Sequence, residues 1–320
     1  MRDLKNTVIN KSAALKILRQ ILGPDRPTSK DEHYYKCPEC NHHKPKFAVN
    51  LDKNVYHCWV CDYRGRNIRR IVRRFGSFTQ LQSWDSITSR TDLEKFSDLF
   101  AEEPIEVQEK IELPEEFISL CSKNIPATGK YALKYLRNRG VTYDDIVRWK
   151  IGYCFGGEYR NRIIIPSFDQ DGDISYFIAR SYSGDSYKYK NPRVSKDITF
   201  NELYINWNSD LVMVEGVFDA VVAGNAVPIL GSTLRKNSKL LREIVKNDTP
   251  VYIALDPDAA HKERRIIKTL LKYDIELYKI DVSGYEDVGS MPKHVFEQRK
   301  KSAVFIDGGD YLLRDLLAAV

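Results

Sequence analysis

Two cysteine pairs, Cys37-Pro-Glu-Cys40 and Cys58-Trp-Val-Cys61, constrain the fold of this chain more than any other feature. They are separated by 17 residues, a spacing typical of zinc ribbons, in which each pair forms a tight turn and the loop between them folds as a hairpin. Four protein ligands leave no coordination position for a substrate, so such a site is structural. We therefore predict a structural zinc ion in a ribbon over residues 34–65, with Cys37, Cys40, Cys58 and Cys61 as its ligands. A neighbouring histidine is the alternative to one of the cysteines, although we favour a supporting role for all three: His42, His43 and His57.

The composition bounds the class of protein. The chain has 320 residues, enough for two or three domains. No apolar run approaches the roughly 18 to 20 residues that cross a bilayer, and the N-terminus lacks the apolar core of a secretory signal. We therefore expect no membrane partner and a cytoplasmic location, where reducing conditions favour metal binding by cysteines over disulfides. The formal net charge of +6 is compatible with nucleic-acid binding.

The first part of the chain is predicted to be a small domain followed by a linker. One helix before the ribbon and a basic helix after it complete a domain over residues 1–76. Residues 77–116 are rich in acids, Ser and Thr, which predicts a flexible acidic linker. A small helix is the alternative to full disorder in this range, and it is suggested by six apolar residues: Leu81, Trp84, Leu93, Phe96, Leu99 and Phe100.

The rest of the chain is predicted to be a larger α/β (α+β) core. Residues 117–208 carry short strands separated by turns, which predicts a basic subdomain built on a mixed sheet. Strands and helices alternate over residues 209–293, which predicts a parallel sheet. Residues 294–320 are predicted to form one or two C-terminal helices.

Basic and aromatic residues lie close together around the ribbon. Lys46 and Trp59 are of the types that hold single-stranded nucleic acid, because a cation grips phosphate and a ring stacks on an unpaired base. Phe47 and Tyr56 fit the small core of the hairpin equally well. The helix after the ribbon adds four arginines that favour the same kind of partner: Arg69, Arg70, Arg73 and Arg74.

Acidic residues follow two of the apolar strands in the predicted parallel sheet. Glu215 comes directly after residues 211–214, and Asp256 and Asp258 follow residues 251–255. Ligand sites of such sheets lie at the carboxyl ends of the strands. Clustered carboxylates repel each other unless hard cations neutralise them, so we predict a Mg²⁺ or Mn²⁺ site formed by Glu215, Asp256 and Asp258. For Asp219, a carboxylate bound to backbone amides at a helix start is an equally good interpretation.

The spacing of these acids resembles the motif of a known group of enzymes. The pattern Glu215-Gly216-x-x-Asp219-Ala220 with Asp256-x-Asp258 resembles the Toprim signature of bacterial-type primases, type IA and II topoisomerases and certain nucleases. The resemblance places a third acidic element at Asp287, although the usual second acid of that element is absent and Gly289 or Ser290 stands near its place.

Three upstream stretches favour the primases among the Toprim families. Tyr135 to Gly140 is similar to the YL-x-x-RG helix of DnaG-type DNA primases. Asn161 to Arg180 resembles the basic motif of these primases, and Lys188 to Pro192 resembles their KY-x-N element. In size and order the chain is most similar to the stand-alone primase subunits of T-even-like bacteriophages. The resemblance implies that four basic residues line the groove for template and nucleotide phosphates, namely Arg162, Arg180, Lys188 and Lys190.

The implied activity is the synthesis of short RNA primers from ribonucleoside triphosphates on single-stranded DNA, inside a bacterial host cell during phage replication. The resemblance implies that Asp219 or Asp287 supports the catalytic metal site and that the ribbon selects the start site. The sequence contains no G-x-x-x-x-G-K-[ST] motif, so we expect the replicative helicase to be a separate chain. Two alternatives are a Toprim nuclease or topoisomerase-like enzyme that cleaves DNA, and a non-catalytic factor that binds single-stranded DNA.

Overall fold

The computed structural model describes residues 10–28, 32–88, 111–122, 124–184, 187–231, 234–235, 238–308 and residue 311. The chain forms two compact units, Met1–Phe100 and Ala101–Val320. The first contains the cysteine pairs and the second contains the acidic residues. Both combine helices with sheets, as the sequence predicts.

The first unit packs helices against a five-stranded antiparallel sheet whose strands follow chain order. Alternate residues of the strands face the helices, because successive side chains of a strand point to opposite faces. Tyr35, Phe47 and Tyr56 form this buried face together with Leu18 and Ile71 from the helices, which confirms the alternative that Phe47 and Tyr56 are core residues. The elements are α1 (Lys11–Leu22), β1 (Arg26–Pro27), β2 (Glu32–Tyr35), β3 (Phe47–Asn50), β4 (Val55–Cys58), β5 (Arg64–Gly65), α2 (Arg69–Phe75) and α3 (Phe78–Ile87).

Helix α3 lies at the start of the range that the sequence assigns to a linker. Ser77 and Gln80 form a capping box at its first turn, which satisfies backbone amides that would otherwise lack partners. Trp84 is buried in the core of the first unit. The helical alternative is therefore correct for residues 78–87, and residues 89–110 of the predicted linker lie outside the described residues.

The basic surface predicted on α2 is smaller than expected. Arg69 and Arg70 are buried, and the guanidinium of Arg69 forms two hydrogen bonds, of 2.6 and 2.8 Å, with the buried carboxylate of Asp85 on α3. Arg69 therefore does not add to a basic surface, because its guanidinium holds α2 against α3.

The second unit begins with a four-stranded sheet. Its described strands pair in the order β6-β7-β8-β9, each antiparallel to the next. Two helices separate β6 from β7 along the chain. The elements are β6 (Phe117–Ser119), α4 (Gly129–Asn138), α5 (Tyr143–Arg148), β7 (Gly152–Cys154), β8 (Arg162–Phe168) and β9 (Ile174–Ser181).

A second sheet of this unit has the order β11-β10-β12-β13-β14. Its first four strands are parallel, as the sequence predicts, and β14 pairs antiparallel with β13. The elements are β10 (Leu211–Val214), α6 (Val217–Ala223), β11 (Ala226–Pro228), α7 (Lys239–Asn247), β12 (Val251–Ala254), α8 (Ala260–Leu271), β13 (Leu277–Lys279), α9 (Lys293–Lys301) and β14 (Val304–Phe305).

The last segment differs in part from its helical prediction. Helix α9 is present, but β14 within residues 294–320 is a strand that extends the second sheet. The second predicted helix, at residues 311–319, lies outside the described residues except for Tyr311.

The two sheets of the second unit share one apolar core. Ile163 and Ile178 from the antiparallel sheet belong to the same buried cluster as Val212 and Val214 from β10. Strand β10, which lies between β11 and β12, is apolar without interruption because both of its faces are covered. In the part of the chain that is described, every helix is too short or too polar to span a bilayer.

Candidate metal centres and nucleic-acid contacts

The four cysteines of the first unit converge. Their sulfur atoms all lie within 4.8 Å of one another, with Sγ–Sγ distances of 3.7 Å between Cys37 and Cys61 and 3.9 Å between Cys40 and Cys58. These separations are far longer than the roughly 2.05 Å of a disulfide bond. They match the edges of about 3.8 Å in a tetrahedron of sulfurs bound at about 2.3 Å from one Zn²⁺. The donor set therefore fits a structural zinc ion.

Backbone amides favour the ionised form of two of these thiols, Cys37 and Cys58. Burial raises the pKa of the Cys37 thiol, while the amides of Glu39 and Cys40 act in the opposite direction. Burial also opposes ionisation of Cys58, but the amides of Val60 and Cys61, together with the side chains of Cys61 and Cys37, outweigh it and lower the pKa of that thiol. Amides directed at sulfur stabilise the thiolate, which is the form that binds metal.

The neighbouring histidines do not join this cluster, which consists of cysteines alone among the described residues. His57 Nε2 lies 2.8 Å from Asp62 Oδ1, and His42 Nδ1 accepts from the backbone amide of Lys44. The alternative in which a histidine replaces a cysteine is therefore not supported by the structure.

One row of residues on the face of the ribbon sheet that points away from its core combines basic and aromatic side chains. The strand register aligns a row across the sheet, in the order Arg26, Tyr34, Ala48, His57 and Arg64. Side chains of one such row point to the same face. The sequence does not single out Arg26, Tyr34 or Arg64, because only the register of the strands brings them together.

Both predicted nucleic-acid contacts of the ribbon lie beside this row. Trp59 is 65% exposed, and its ring centroid is 4.3 Å from that of His57. Lys46 is exposed at the edge of a cleft of about 540 Å³. The walls of the cleft combine cations with the ring of Tyr34, and its lining includes Arg26, His43, Lys44 and Lys46.

Three carboxylates of the second unit meet at one edge of the parallel sheet. β10 and β12 are neighbours, and Val214 aligns with Ala254, so the residues after both strands emerge side by side. Glu215, Asp256 and Asp258 each place an oxygen within 4.8 Å of the others. Oxygens bound to one Mg²⁺ lie no more than about 4.2 Å apart, so a small adjustment of these side chains would let all three bind the same ion. We call this group the acidic triad.

Asp256 shows the electrostatic cost of this arrangement. Burial, reinforced by the charges of Asp219, Glu215 and Asp287, raises the pKa of Asp256 to about 7. Its Oδ1 atom is buried and has no hydrogen-bond donor among the described residues. A buried carboxylate oxygen without a donor, next to other carboxylates, is suited to a hard cation.

Lys262 is a contact of the acidic triad that the sequence does not predict. It lies in the first turn of α8, four residues after Asp258, and its Nζ donates to Oε1 of Glu215. The available signal is a basic residue at the start of the helix that directly follows the acids. From this position the side chain of Lys262 reaches Glu215 at the end of β10.

Asp219 and Asp287 lie outside the triad. Asp219 accepts hydrogen bonds of 2.7 Å from the backbone amides of Gly216 and Gly289, and it lies in the first turn of α6. Burial raises its pKa to about 6, against the effect of these amides. Asp287 caps the short helix Val288–Ser290, because its Oδ1 accepts from the amide of Ser290. The interpretation of Asp219 as a carboxylate bound to backbone amides is therefore the one that the structure supports.

The four basic residues predicted to bind phosphate gather around one extended segment at the edge of β9. Arg162 donates to the carbonyl of Tyr187, and Arg180 donates to the hydroxyl of Tyr189 over a distance of 2.7 Å. Both arginines are largely buried, whereas the side chain of Lys188 is exposed.

Lys190 forms an ion pair with Glu158, in which its Nζ lies 3.1 Å from a carboxylate oxygen. Tyr187 is 76% exposed beside these cations. The segment thus exposes Lys188 and the ring of Tyr187 to solvent. Arg162 binds its backbone, and Arg180 binds the hydroxyl of Tyr189.

The sequence has several curated relatives but no match to a protein-family model. A DNA primase of Halalkalibacterium halodurans is 25% identical over 282 residues, which cover 71% of this chain and 46% of that protein. A DNA primase of Staphylococcus epidermidis is 21% identical over 323 residues, which cover 82% of this chain and 53% of that protein. The chain thus spans about half the length of the curated relatives that it matches.

Solved structures show the same likeness in three dimensions. The DnaG primase catalytic domain bound to single-stranded DNA superposes with a TM-score of 0.51 at 20% identity, covering 61% of this chain and 78% of that chain. The Escherichia coli primase catalytic core gives the same TM-score and identity and covers 61% of this chain and 79% of that chain. At this level of identity the match establishes the fold. In sequence and in fold, this chain is therefore similar to the DnaG-type DNA primases.

Proposed function

We propose that this protein is a DNA primase, which joins ribonucleotides into short primers on a single-stranded DNA template in a reaction that depends on a divalent cation. The observation that carries the proposal is the acidic triad at the carboxyl edge of β10 and β12, with a buried oxygen of Asp256 that has no donor among the described residues. Relatives named DNA primase and the fold of a primase catalytic core supply the reaction class.

The proposed roles in catalysis follow from the positions of the side chains. Glu215, Asp256 and Asp258 would hold Mg²⁺ or Mn²⁺, which when bound neutralises the charge of a triphosphate and favours the ionised form of an attacking hydroxyl. Asp219 would act as a positioning residue, because its bonds to two backbone amides fix the turn that follows Glu215. Asp287 would fix the neighbouring loop in the same way.

The proposed template contacts lie on two surfaces. On the ribbon, Trp59 and Tyr34 would stack on unpaired bases while Lys46 and its neighbours bind phosphate. On the second unit, Lys188 and Tyr187 offer the same pair of chemistries. Arg162, Arg180 and Lys190 are included in the proposed groove for template and nucleotide, with the two arginines also positioning the segment. We further propose that the protein acts in phage DNA replication and that the replicative helicase is a separate chain.

The test is an assay of ribonucleotide incorporation on single-stranded DNA with Mg²⁺ or Mn²⁺. Glu215→Gln and Asp256→Asn each remove a charge from the triad, so we expect primer synthesis to fall by about 100-fold or more. Glu243→Gln, on α7, changes an acid that pairs with Lys246 and should leave synthesis unchanged. Full activity in Glu215→Gln would contradict the proposal.

The same incubation separates the two alternatives. Cut DNA without RNA product would identify a nuclease, and a retarded DNA band without any product would identify a binding factor.

Template contacts are tested by Trp59→Ala and Tyr187→Ala, each of which should weaken binding of single-stranded DNA by about 1–3 kcal/mol if its ring stacks on a base.

A further inference from the structure

The contact between Lys262 and Glu215 has no role in the proposed primase reaction. The ammonium of Lys262 donates to Oε1 of Glu215, and only 24% and 19% of the two side chains are exposed. Both therefore lie largely within the acidic edge of the sheet. Glu215 is also one of the three residues that would hold a divalent cation.

The position of Lys262 in the chain places it close to the acids. Asp258 lies in the short helix Pro257–Ala259, and Lys262 lies in the first turn of α8, which follows directly. The last two residues of the triad and the lysine therefore belong to one continuous stretch of backbone. The lysine is held opposite Glu215, which comes from the neighbouring strand β10.

A metal ion and this ammonium compete for the same carboxylate. Three carboxylates without a counter-charge would repel each other, and Lys262 relieves part of that repulsion in the metal-free protein. A divalent cation that binds all three acids meets a positive charge already bound to Glu215. The ammonium must therefore move away, and its long stem of four methylene groups permits this without a change in the helix.

We propose that Lys262 is a built-in counter-cation of the acidic triad, which a divalent cation displaces and which then binds the triphosphate of the incoming nucleotide. This inference rests on the proposed metal site. A lysine ammonium is a compact point charge suited to phosphate oxygens. A triphosphate bound to the same metal would lie near the displaced side chain, because Lys262 contacts Glu215, one of the proposed metal ligands.

The consequence is a coupling between the two ligands. Lys262 weakens metal binding while no nucleotide is present, because the ion must displace it. It strengthens triphosphate binding once the metal is present. By linkage, each ligand then raises the affinity of the protein for the other, and the lysine is the element that couples them.

The experiment uses the full chain with its zinc retained. Binding of Mn²⁺ is measured from the electron paramagnetic resonance signal of the free ion, without nucleotide. Binding of fluorescent ATP is then measured by anisotropy at saturating Mn²⁺. For Lys262→Met we expect Mn²⁺ to bind about 10-fold more tightly and ATP about 10-fold more weakly than in the wild type, within the usual range of such couplings.

Two variants control the comparison. Lys279→Met breaks an ion pair of 2.6 Å with Glu263, the neighbour of Lys262 on α8, and should change neither affinity. Lys262→Arg keeps the positive charge and should stay close to the wild type for Mn²⁺. A role of Lys262 in stability alone would lower the melting temperature of Lys262→Met without the opposite shifts of the two affinities.

The outcomes separate this inference from the metal site itself. If the wild type and Lys262→Met bind Mn²⁺ with equal affinity, and Glu215→Gln binds it more weakly, the counter-cation is refuted and the metal site stands. Unchanged ATP affinity in Lys262→Met refutes the coupling. If Glu215→Gln binds Mn²⁺ as the wild type does, the triad is not the metal site and both proposals fail.

Discussion

Oδ1 of Asp219 accepts a hydrogen bond of 2.7 Å from the backbone amide of Gly289, although 70 positions separate the two residues. The other oxygen of the same carboxylate accepts from the amide of Gly216, directly after Glu215. One buried side chain therefore ties the start of α6 to the loop that contains Asp287. In the proposed site, this link would fix the direction in which the chain leaves β10 and, with it, the position of Glu215.

The close approach of Gly289 to α6 leads to the first prediction. A Cβ atom at this position would lie 2.9 Å from Oδ1 of Asp219 and 3.4 Å from the backbone carbon of Phe218. Because neither the buried carboxylate nor the helix backbone can move freely, we expect Gly289→Ala to destabilise the second unit by about 1–3 kcal/mol. Gly156→Ala is the matched control, since a Cβ there meets nothing within 4 Å. Urea unfolding measures both, and equal stability of the two variants would show that the link is not tight.

The sequence predicts those parts of the site in which the ligands belong to short, local patterns. Each cysteine pair occupies one turn, and Asp256 and Asp258 follow a single strand, so their spacing alone predicts a shared ion. The parallel order of β10 and β12 then follows from the alternation of strands and helices. These features depend on chemistry that is contained within a few consecutive residues.

The features that the sequence does not predict depend on contacts between distant elements. The burial of Arg69 requires Asp85 on the next helix, and a charge pattern alone is equally consistent with a solvent-exposed arginine. The row across the ribbon sheet requires the register of five strands. The sequence is compatible with either metal or backbone partners for Asp219, and it does not reveal the contact with the amide of Gly289, which is 70 positions away.

The ion pair of Arg69 and Asp85 gives a second prediction. Asp85→Ala leaves a buried guanidinium without its carboxylate, so we expect the first unit to lose about 3 kcal/mol of its free energy of unfolding. The double variant Arg69→Met/Asp85→Leu should be more stable than Asp85→Ala, because it leaves neither charge of this buried pair without its partner. Chemical denaturation of the first unit measures both values.

A surface ion pair of the same unit provides the control for that experiment. Asp52 lies 2.6 Å from Lys11, with about half of each side chain exposed. Solvent screens such pairs, so Asp52→Ala should cost less than about 1 kcal/mol. A similar loss in Asp85→Ala and Asp52→Ala would contradict the structural role assigned to α3.

Removal of zinc forms the third prediction. The ribbon has a small core, and in proteins of this kind metal binding supplies much of the folding free energy. We expect one zinc ion per chain, its loss in Cys58→Ser, and loss of the thermal transition of the first unit after chelation. Elemental analysis and calorimetry measure these results.

Cys121→Ser serves as the control for the zinc measurements, because this cysteine lies in the second unit and donates to the carbonyl of Ile146. Its zinc content should equal that of the wild type. A chelated protein that retains both thermal transitions would show that the ribbon folds without the ion.

The raised pKa of Asp256 gives the last prediction, which concerns pH. The pKa of this carboxyl rises from 3.8 to about 7 on folding, chiefly through burial and then through the charges of Asp219 and Glu215. Between these values the folded protein binds more protons than the unfolded chain, so its stability falls as the pH rises. Without added divalent cations, we expect the second unit to lose about 1–2 kcal/mol between pH 5 and pH 7.5, a value reduced for solvent screening because this carboxyl is only part-buried.

Two further measurements assign this pH dependence to the acidic triad. Asp256→Asn has no titrating group at this position, so its stability should change less over the same range, with a remainder from Asp219, whose pKa is raised to about 6 by burial. Added Mg²⁺ should oppose the loss in the wild type, because it binds the ionised carboxylates and favours the folded state more strongly as the pH rises. If melting temperatures of the wild type and Asp256→Asn ran parallel from pH 5 to pH 7.5, the buried carboxyl would not be the titrating group, and the electrostatic argument for a cation at the triad would lose its support.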